Sequence, residues 1–461
     1  MNFSKQSNYR LVFLISAMVV LLIFLLSKHH PFFWDTLLTS SILQHFIENG
    51  LGNFILPENL DAGHPPFFYA YLFCVITLFG KSLFVAHLAM LPFLFLLCYA
   101  VLSLLDYFKF NTKEKLLTLL FTFSIPAVLT QSFLISYDIA ILAIGLLCLN
   151  FALKKQFILF SIFSVVLCSV SVRGNFVLIG IVFISFLMND RKYIVRTIIS
   201  LIPSILFCAI WYGYHYAETG YFLQGNNGWQ EQRNIADVQT IFKNIISIGR
   251  KLFDFGIVCL FVLNIISFSD KCIDRKLFLW IIPFVILSII FVSFTNPIGH
   301  RYYLIVYVLM LLPIVKYLAK KPSYFSVILI LLLFISNYQI YGARVSNGWD
   351  CTLAHLYYFN IKKDADNYLK EKNIQAENIG TVFPLTASSQ QMYWIGDTDK
   401  MNNVNGENLD STQYILYSNI ANDFSDEQLD ELKEWKIIWQ KKSVVCNMIL
   451  YENPTIENEL Q

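Results

Sequence analysis

The chain reads as a polytopic α-helical membrane protein that carries a small α/β domain at its C-terminal end. Of its 461 residues, 56% are hydrophobic and 14% charged. The apolar residues run in blocks of sixteen or more instead of recurring at amphipathic spacing. The net charge of +2 conceals a division, because residues 1–341 hold 24 Lys/Arg against 14 Asp/Glu and residues 342–461 hold 10 against 18. A basic, oily part followed by an acidic tail predicts a membrane domain over 1–341 and a soluble domain over 342–461.

The first block, Leu11 to Ser27, has a basic flank. Lys28, His29, His30 and Pro31 follow it where a cleaved signal would present small residues, so the span 9–27 reads as a retained anchor. The next stretch, Pro31 to Gly50, is amphipathic: Leu37, Leu38, Ile42, Leu43, Phe46 and Ile47 can lie on the membrane while Asp35 and Gln44 face water or substrate. The apolar run 66–80 begins on prolines and is shorter than the ~20 residues a crossing helix needs, which predicts an interfacial or re-entrant helix inside a first outer loop, 28–81. Ten further spans follow, at 82–106, 115–135, 138–153, 156–171, 174–189, 193–216, 252–269, 277–295, 302–319 and 323–341.

Eleven spans in all place Lys109/Lys113/Lys115, Lys154/Lys155, Arg191/Lys192, Lys271/Arg275/Lys276 and Lys316/Lys320/Lys321 on the cytoplasmic side, as the positive-inside bias requires. A twelfth crossing at 66–80 would put those clusters outside. With the N-terminus inside, the odd count puts the tail outside, on the same face as Asp35, His64, Asp138, Arg173, the loop 217–250 and His300-Arg301.

Within the tail the pattern predicts a helix over Ala354–Lys372, strands at Ile379–Pro384 and Tyr414–Ser418, a helix at Asp426–Trp435 opened by Ser425, and a hairpin through Lys436–Glu452. No glycine-rich nucleotide loop accompanies these strands. Asp397-Thr398-Asp399 has the form of a metal-binding DxD but lacks its strand context. Cys351 and Cys446, the two tail cysteines, could pair if the tail faces an oxidising space. The other seven lie in or beside apolar segments, without metal-ligand spacing.

Each outer polar residue has a chemical and a plain reading. Asp35 could take a proton from an acceptor hydroxyl, or cap the amphipathic helix. His64-Pro65-Pro66 fixes a rigid turn from which His64 could donate to a phosphate or a sugar hydroxyl. Asp138 opens a span, where the helix dipole already favours an acid. Arg173 interrupts a long apolar stretch and needs an anion, a capping role or an escape to the interface. His300, Arg301, Tyr302 and Tyr303 could grip a phosphodiester or form an interfacial belt.

This ordered set, with Trp34-Asp35, His64-Pro65-Pro66, Tyr137-Asp138, Arg173-Gly174 and His300-Arg301-Tyr302 between the spans, resembles the GT-C superfamily of integral membrane glycosyltransferases. The likeness covers residues 9 to about 341 and is strongest to the branch of protein O-mannosyltransferases and aminoarabinose lipid A transferases. The resemblance implies a GT-C fold, a polyprenyl-phosphate sugar donor, and transfer on the exoplasmic face of a bacterial plasma membrane to a glycan, lipid or protein acceptor; no nucleic acid partner is implied. It implies Asp35 as catalytic base, with His64, Asp138, Arg173, His300, Arg301 and Tyr302 as substrate-binding residues. Where many members carry a second acid after the first, this chain has Thr36, which leaves metal dependence open: no nucleotide cofactor is needed, and a divalent metal is compatible. The competing classes are a lipid-linked glycan polymerase and a transporter without covalent chemistry. A transporter would more often show paired repeats and broken helices at mid-membrane.

Overall fold

A computed structural model describes residues 3–187, 190–223, 237–254, 256–271, 273–293, 299–342, 344, 351–396, 398–420 and 423–454. Arg233 of the long loop and Asp397 lie outside these residues. The chain begins with α1 (Phe3–Ser27), followed by α2 (Thr36–Asn49) and α3 (Phe67–Phe79) in the first outer loop. At 13 residues α3 is about 20 Å long, well short of the ~30 Å hydrocarbon core, as its sequence predicts.

The membrane helices then follow: α4 (Leu83–Leu88) and α5 (Leu91–Tyr107), α6 (Thr112–Ser124) and α7 (Pro126–Phe133), α8 (Tyr137–Leu153), α9 (Phe157–Val170) and α10 (Arg173–Leu187). After them come α11 (Arg191–Ser200) and α12 (Ile202–Thr219), α13 (Val238–Phe253) and α14 (Ile257–Ser269), α15 (Lys276–Leu279) and α16 (Ile282–Ser293), α17 (Leu304–Leu318) and α18 (Ser323–Ser336). Four stretches are long and apolar enough to cross alone: Arg10–Ser27, Leu83–Tyr107, Arg191–Thr219 and His300–Leu318. The pairs α6/α7 and α13/α14 would raise that to six, bent by 70° and 82°. The first bend falls at Ile125-Pro126, where proline cannot continue the preceding helix. The five other expected spans are apolar helices of 10–17 residues. This is a multi-pass membrane protein.

The bundle is organised around α8 and α17, which are buried on nearly every side. α8 packs against α5, α9 and α10, and α17 against α6 and α14. A helix apolar all round belongs inside a bundle, and neither α8 nor α17 has a polar stripe to expose. The basic loops meet at one end: Lys115 pairs with Asp106, Lys316 Nζ lies 2.7 Å from Glu114 Oε2, and Lys155 Nζ lies 3.6 Å from Asp190.

Two expectations change. The sequence predicts a loop over 217–250, but α13 takes up its end from Val238, with apolar Phe242 and Ile246 exposed on one side and Leu252 buried. The Cys351–Cys446 pairing is not made, since Cys446 is a buried free thiol.

The tail contains α19 (His355–Glu371), α20 (Ser389–Tyr393) and α21 (Asp426–Glu431) with a five-stranded sheet. Its strands are β1 (Ile379–Thr381), β2 (Asn402–Asn403), β3 (Tyr414–Ser418), β4 (Lys436–Ser443) and β5 (Cys446–Glu452), in the order β2-β1-β3-β5-β4. β4 and β5 form the expected hairpin, and Ser425 makes a reciprocal capping box with Gln428. The tail sits on the first outer loop. Phe32 N–H donates to the Met392 carbonyl, Phe33 stacks on His355 at 5.5 Å, and Trp34 meets Phe383 edge-on at 5.0 Å.

Candidate active site

Bundle, first loop and tail enclose a cavity of about 830 Å³. Asp35 reaches it from the start of α2. The preceding Trp34 is held at φ +53°, a backbone region that costs a bulky side chain energy and recurs where function demands a fixed geometry. Asp35 occupies the helix-cap position but makes no capping hydrogen bond. The turn is closed instead by Thr36, whose Oγ1 accepts from Phe33 N–H at 2.7 Å and donates to the Phe33 carbonyl at 2.9 Å. Thr36 therefore does local structural work, and the carboxylate of Asp35 is left for the cavity.

Arg301 donates to Asp35 and lies 3.7 Å from Asp138, which in turn takes Arg173 at 2.5 Å. The result is an alternating row, Asp35, Arg301, Asp138, Arg173, drawn from four separate parts of the chain. Asp138 is 4% exposed and Arg301 7%, against 26% for Asp35. Buried charge survives only where opposite charge compensates it, and the row provides that. Ser136 caps α8 and also donates to Asp138 at 3.0 Å, which fixes the carboxylate's orientation.

Arg173 is clasped between two phenol rings, Tyr302 at 4.6 Å and Tyr137 at 4.9 Å. Its Nη2 is buried and has no hydrogen-bond partner among the described residues. Gly174 behind it lets α10 start tight against α9, because a Cβ there would stand 2.4 Å from the Leu167 carbonyl oxygen. His64 bridges Tyr137 Oη (3.2 Å) and Ser171 Oγ (3.4 Å). The loop before it is pinned by a buried pair, Asp61 and His215, 2.7 Å apart.

Of the seven residues expected at the site, Asp35, His64, Asp138, Arg173, Arg301 and Tyr302 line this one cavity. His300 does not line it. Its ring turns toward Asp254, 3.4 Å away, beside Arg250 and Tyr341. The structure adds Trp34, Tyr69 and Tyr137 from the membrane side and Gln391, Lys400, Asn403 and Asp423 from the tail.

No protein-family profile matches the chain, and no curated protein matches it. Among solved structures it is similar to ArnT from Cupriavidus metallidurans bound to undecaprenyl phosphate, at 12% identity and a TM-score of 0.57 over 95% of this chain and 97% of that one. It also matches the apo state of the same protein, at 14% identity and a TM-score of 0.52 over 71% and 62%. The chain has the GT-C fold of ArnT.

Within this GT-C cavity the acids are not arranged for a metal. Among the described residues no group of three or more His, Cys, Asp or Glu side chains comes together, and both Asp35 and Asp138 are already held by guanidinium groups. A dication would have to displace a buried arginine, so we derive no step through one.

Proposed function

We propose that the protein is a membrane glycosyltransferase that moves a sugar from a polyprenyl-phosphate donor to an acceptor hydroxyl, in the large cavity at the outer face of a bacterial plasma membrane. One observation carries the reading. The accessible carboxylate of Asp35 and the guanidinium of Arg173 line the same cavity of a fold shared with a protein crystallised with undecaprenyl phosphate.

The chemistry is an inverting displacement. The acceptor oxygen attacks the anomeric carbon from the face opposite the phosphate, the bond from that carbon to the phosphate oxygen breaks, and its electron pair stays on the lipid phosphate. The hydroxyl proton passes to Asp35. Arg173 meets the phosphate as its charge grows, an interaction stronger in the transition state than before it. Arg301 orients Asp35, and Asp138 holds both arginines apart and in register. His64 hydrogen-bonds within the Tyr137 and Ser171 wall and positions Tyr137 against Arg173.

The test uses membranes holding wild type or Asp35→Asn, given undecaprenyl phosphate carrying a radiolabelled sugar together with cell-envelope acceptors. Wild type transfers label and the variant, equally expressed, does not. Label that changes sides of the membrane without leaving its lipid would replace this reading with a transporter.

A further inference from the structure

Tyr69, Tyr137 and Tyr302 stand together in the wall of the large cavity, and two of them already have tasks. Tyr137 bonds His64 and covers one face of Arg173, and Tyr302 covers the other. Tyr69, the third residue of α3, has neither task. The residue is 3% exposed, with its ring edge-on to Tyr137 at 6.4 Å between centroids. Its hydroxyl bonds no described residue, and it is not sealed in the interior as the hydroxyls of Tyr193, Tyr212 and Tyr358 are. A packed phenol whose oxygen is neither bonded nor sealed opens on the cavity that the residue lines.

The surroundings of this hydroxyl favour an anionic oxygen as its partner. Burial holds the phenol well above its ordinary range, with Tyr137 and Asp35 pushing the same way, so the oxygen keeps its proton and can donate. α3 opens directly after the His64-Pro65-Pro66 turn, and its first turn has neither an acid nor a side-chain cap. The positive end of the helix dipole therefore stands unneutralised beside Tyr69. Tyr137 touches both Tyr69 and Arg173, so the hydroxyl and the guanidinium are one ring apart. Asp35 and Asp138 are already held by guanidinium groups, which leaves the Tyr69 donor for an oxygen that the chain does not supply.

We propose that the Tyr69 hydroxyl donates a hydrogen bond to a non-bridging oxygen of the donor's lipid phosphate. This rests on the reading of the large cavity as the site of a polyprenyl-phosphate donor, and deepens it by naming a second group on the phosphate. Arg173 supplies the attraction, which acts on any anion nearby. The rigid phenol supplies the direction, because a hydrogen bond fixes where one phosphate oxygen lies and so how the sugar is presented to Asp35. A donor of this kind on a charged oxygen is roughly twice as strong as one on a neutral oxygen.

The experiment titrates the full-length protein in lipid nanodiscs with two probes, undecaprenyl phosphate and undecaprenol, which differ only in the phosphate. Wild type binds the phosphate form more tightly. Tyr69→Phe keeps the ring against Tyr137 and removes the donor. It weakens binding of the phosphate form about 10-fold or more, the range of one hydrogen bond to a charged group, and leaves undecaprenol binding and the melting temperature unchanged. Equal binding of undecaprenyl phosphate by wild type and variant overturns the proposal. Equal weakening of both probes, or a lowered melting temperature, also overturns it, because the hydroxyl would then serve packing. A wild type that shows no preference for the phosphate form overturns the reading of the large cavity itself, and that outcome is seen without any variant.

Discussion

The first outer loop buries polar groups in two places a few residues apart, and it treats them in opposite ways. At Asp35 it joins a row of alternating full charges, each compensated by the next. At His30 it joins a seam with the tail built from imidazole and phenyl rings. His30 and His355 lie 4.9 Å apart, each with a buried Nε2 that has no hydrogen-bond partner among the described residues, and His355 Nδ1 donates to the Thr352 carbonyl. Burial holds the His30 imidazole well below its ordinary range and pushes His355 down to about 4, so the seam is made of neutral rings. Charge is kept in the wall of the cavity, and neutrality where two parts of the molecule need only to adhere.

Four experiments break or sharpen this contrast. Asp35→Asn keeps the shape of the row and removes its accessible carboxylate. Transfer should fall about 10²- to 10⁴-fold on purified protein, with a loss of thermal stability smaller than that of Asp138→Ala, because Asp35 is the more exposed acid and Asp138 still touches both arginines. Asp138→Ala leaves two buried guanidinium groups sharing Asp35 alone. It should cost about 3–5 kcal/mol, read as a large drop in thermal stability in detergent. Acidification tests the seam. The unfolded chain takes up protons near pH 6.5 and the folded His355 only near 4, so between those values the unfolded state binds more protons. Seam stability is complete above that window and falls as pH drops through it, by at most about 3 kcal/mol for His355. Hydrogen-exchange protection around Phe33 and His355, corrected for the intrinsic rate, should fall at pH 5, and His355→Phe should reduce that pH dependence, leaving the share that belongs to His30. The smallest effect belongs to Tyr302→Leu, which removes one face of the clasp on Arg173. About 1 kcal/mol should appear as weaker binding of undecaprenyl phosphate.

Much of the row was legible in the sequence, because topology parity puts Asp35, Asp138, Arg173 and Arg301 at one level and each is a costly residue beside an apolar run. The direction of His300 was not legible. It adjoins Arg301, and only the short 3₁₀ turn at residues 300–303 decides that one faces the cavity and the other Asp254. Tyr137 stood in the sequence only as the neighbour of Asp138 and Tyr69 carried no signal, until the fold sets Tyr137 against Arg173 and both in the cavity wall. α13 escaped notice because it follows a polar stretch and its apolar residues recur at helical spacing without forming a block. In the tail, α19 and the β4–β5 hairpin were plain from pattern and capping. β2 and α20 were too short to carry a period, so the tail's contribution to the cavity was hidden.

α2 also acts as a ruler. It is one unbroken rod from Thr36 to Asn49, with the Asp35 carboxylate at its head and Gln44 nine residues along, roughly 14 Å away at helical rise. That distance is set by backbone hydrogen bonds and does not flex with what fills the cavity. Whatever reaches from Asp35 along the flank of α2 meets a fixed length, and one helical turn added between Asp35 and Gln44 would lengthen that reach by about 5 Å while leaving the turn that holds Asp35 unchanged.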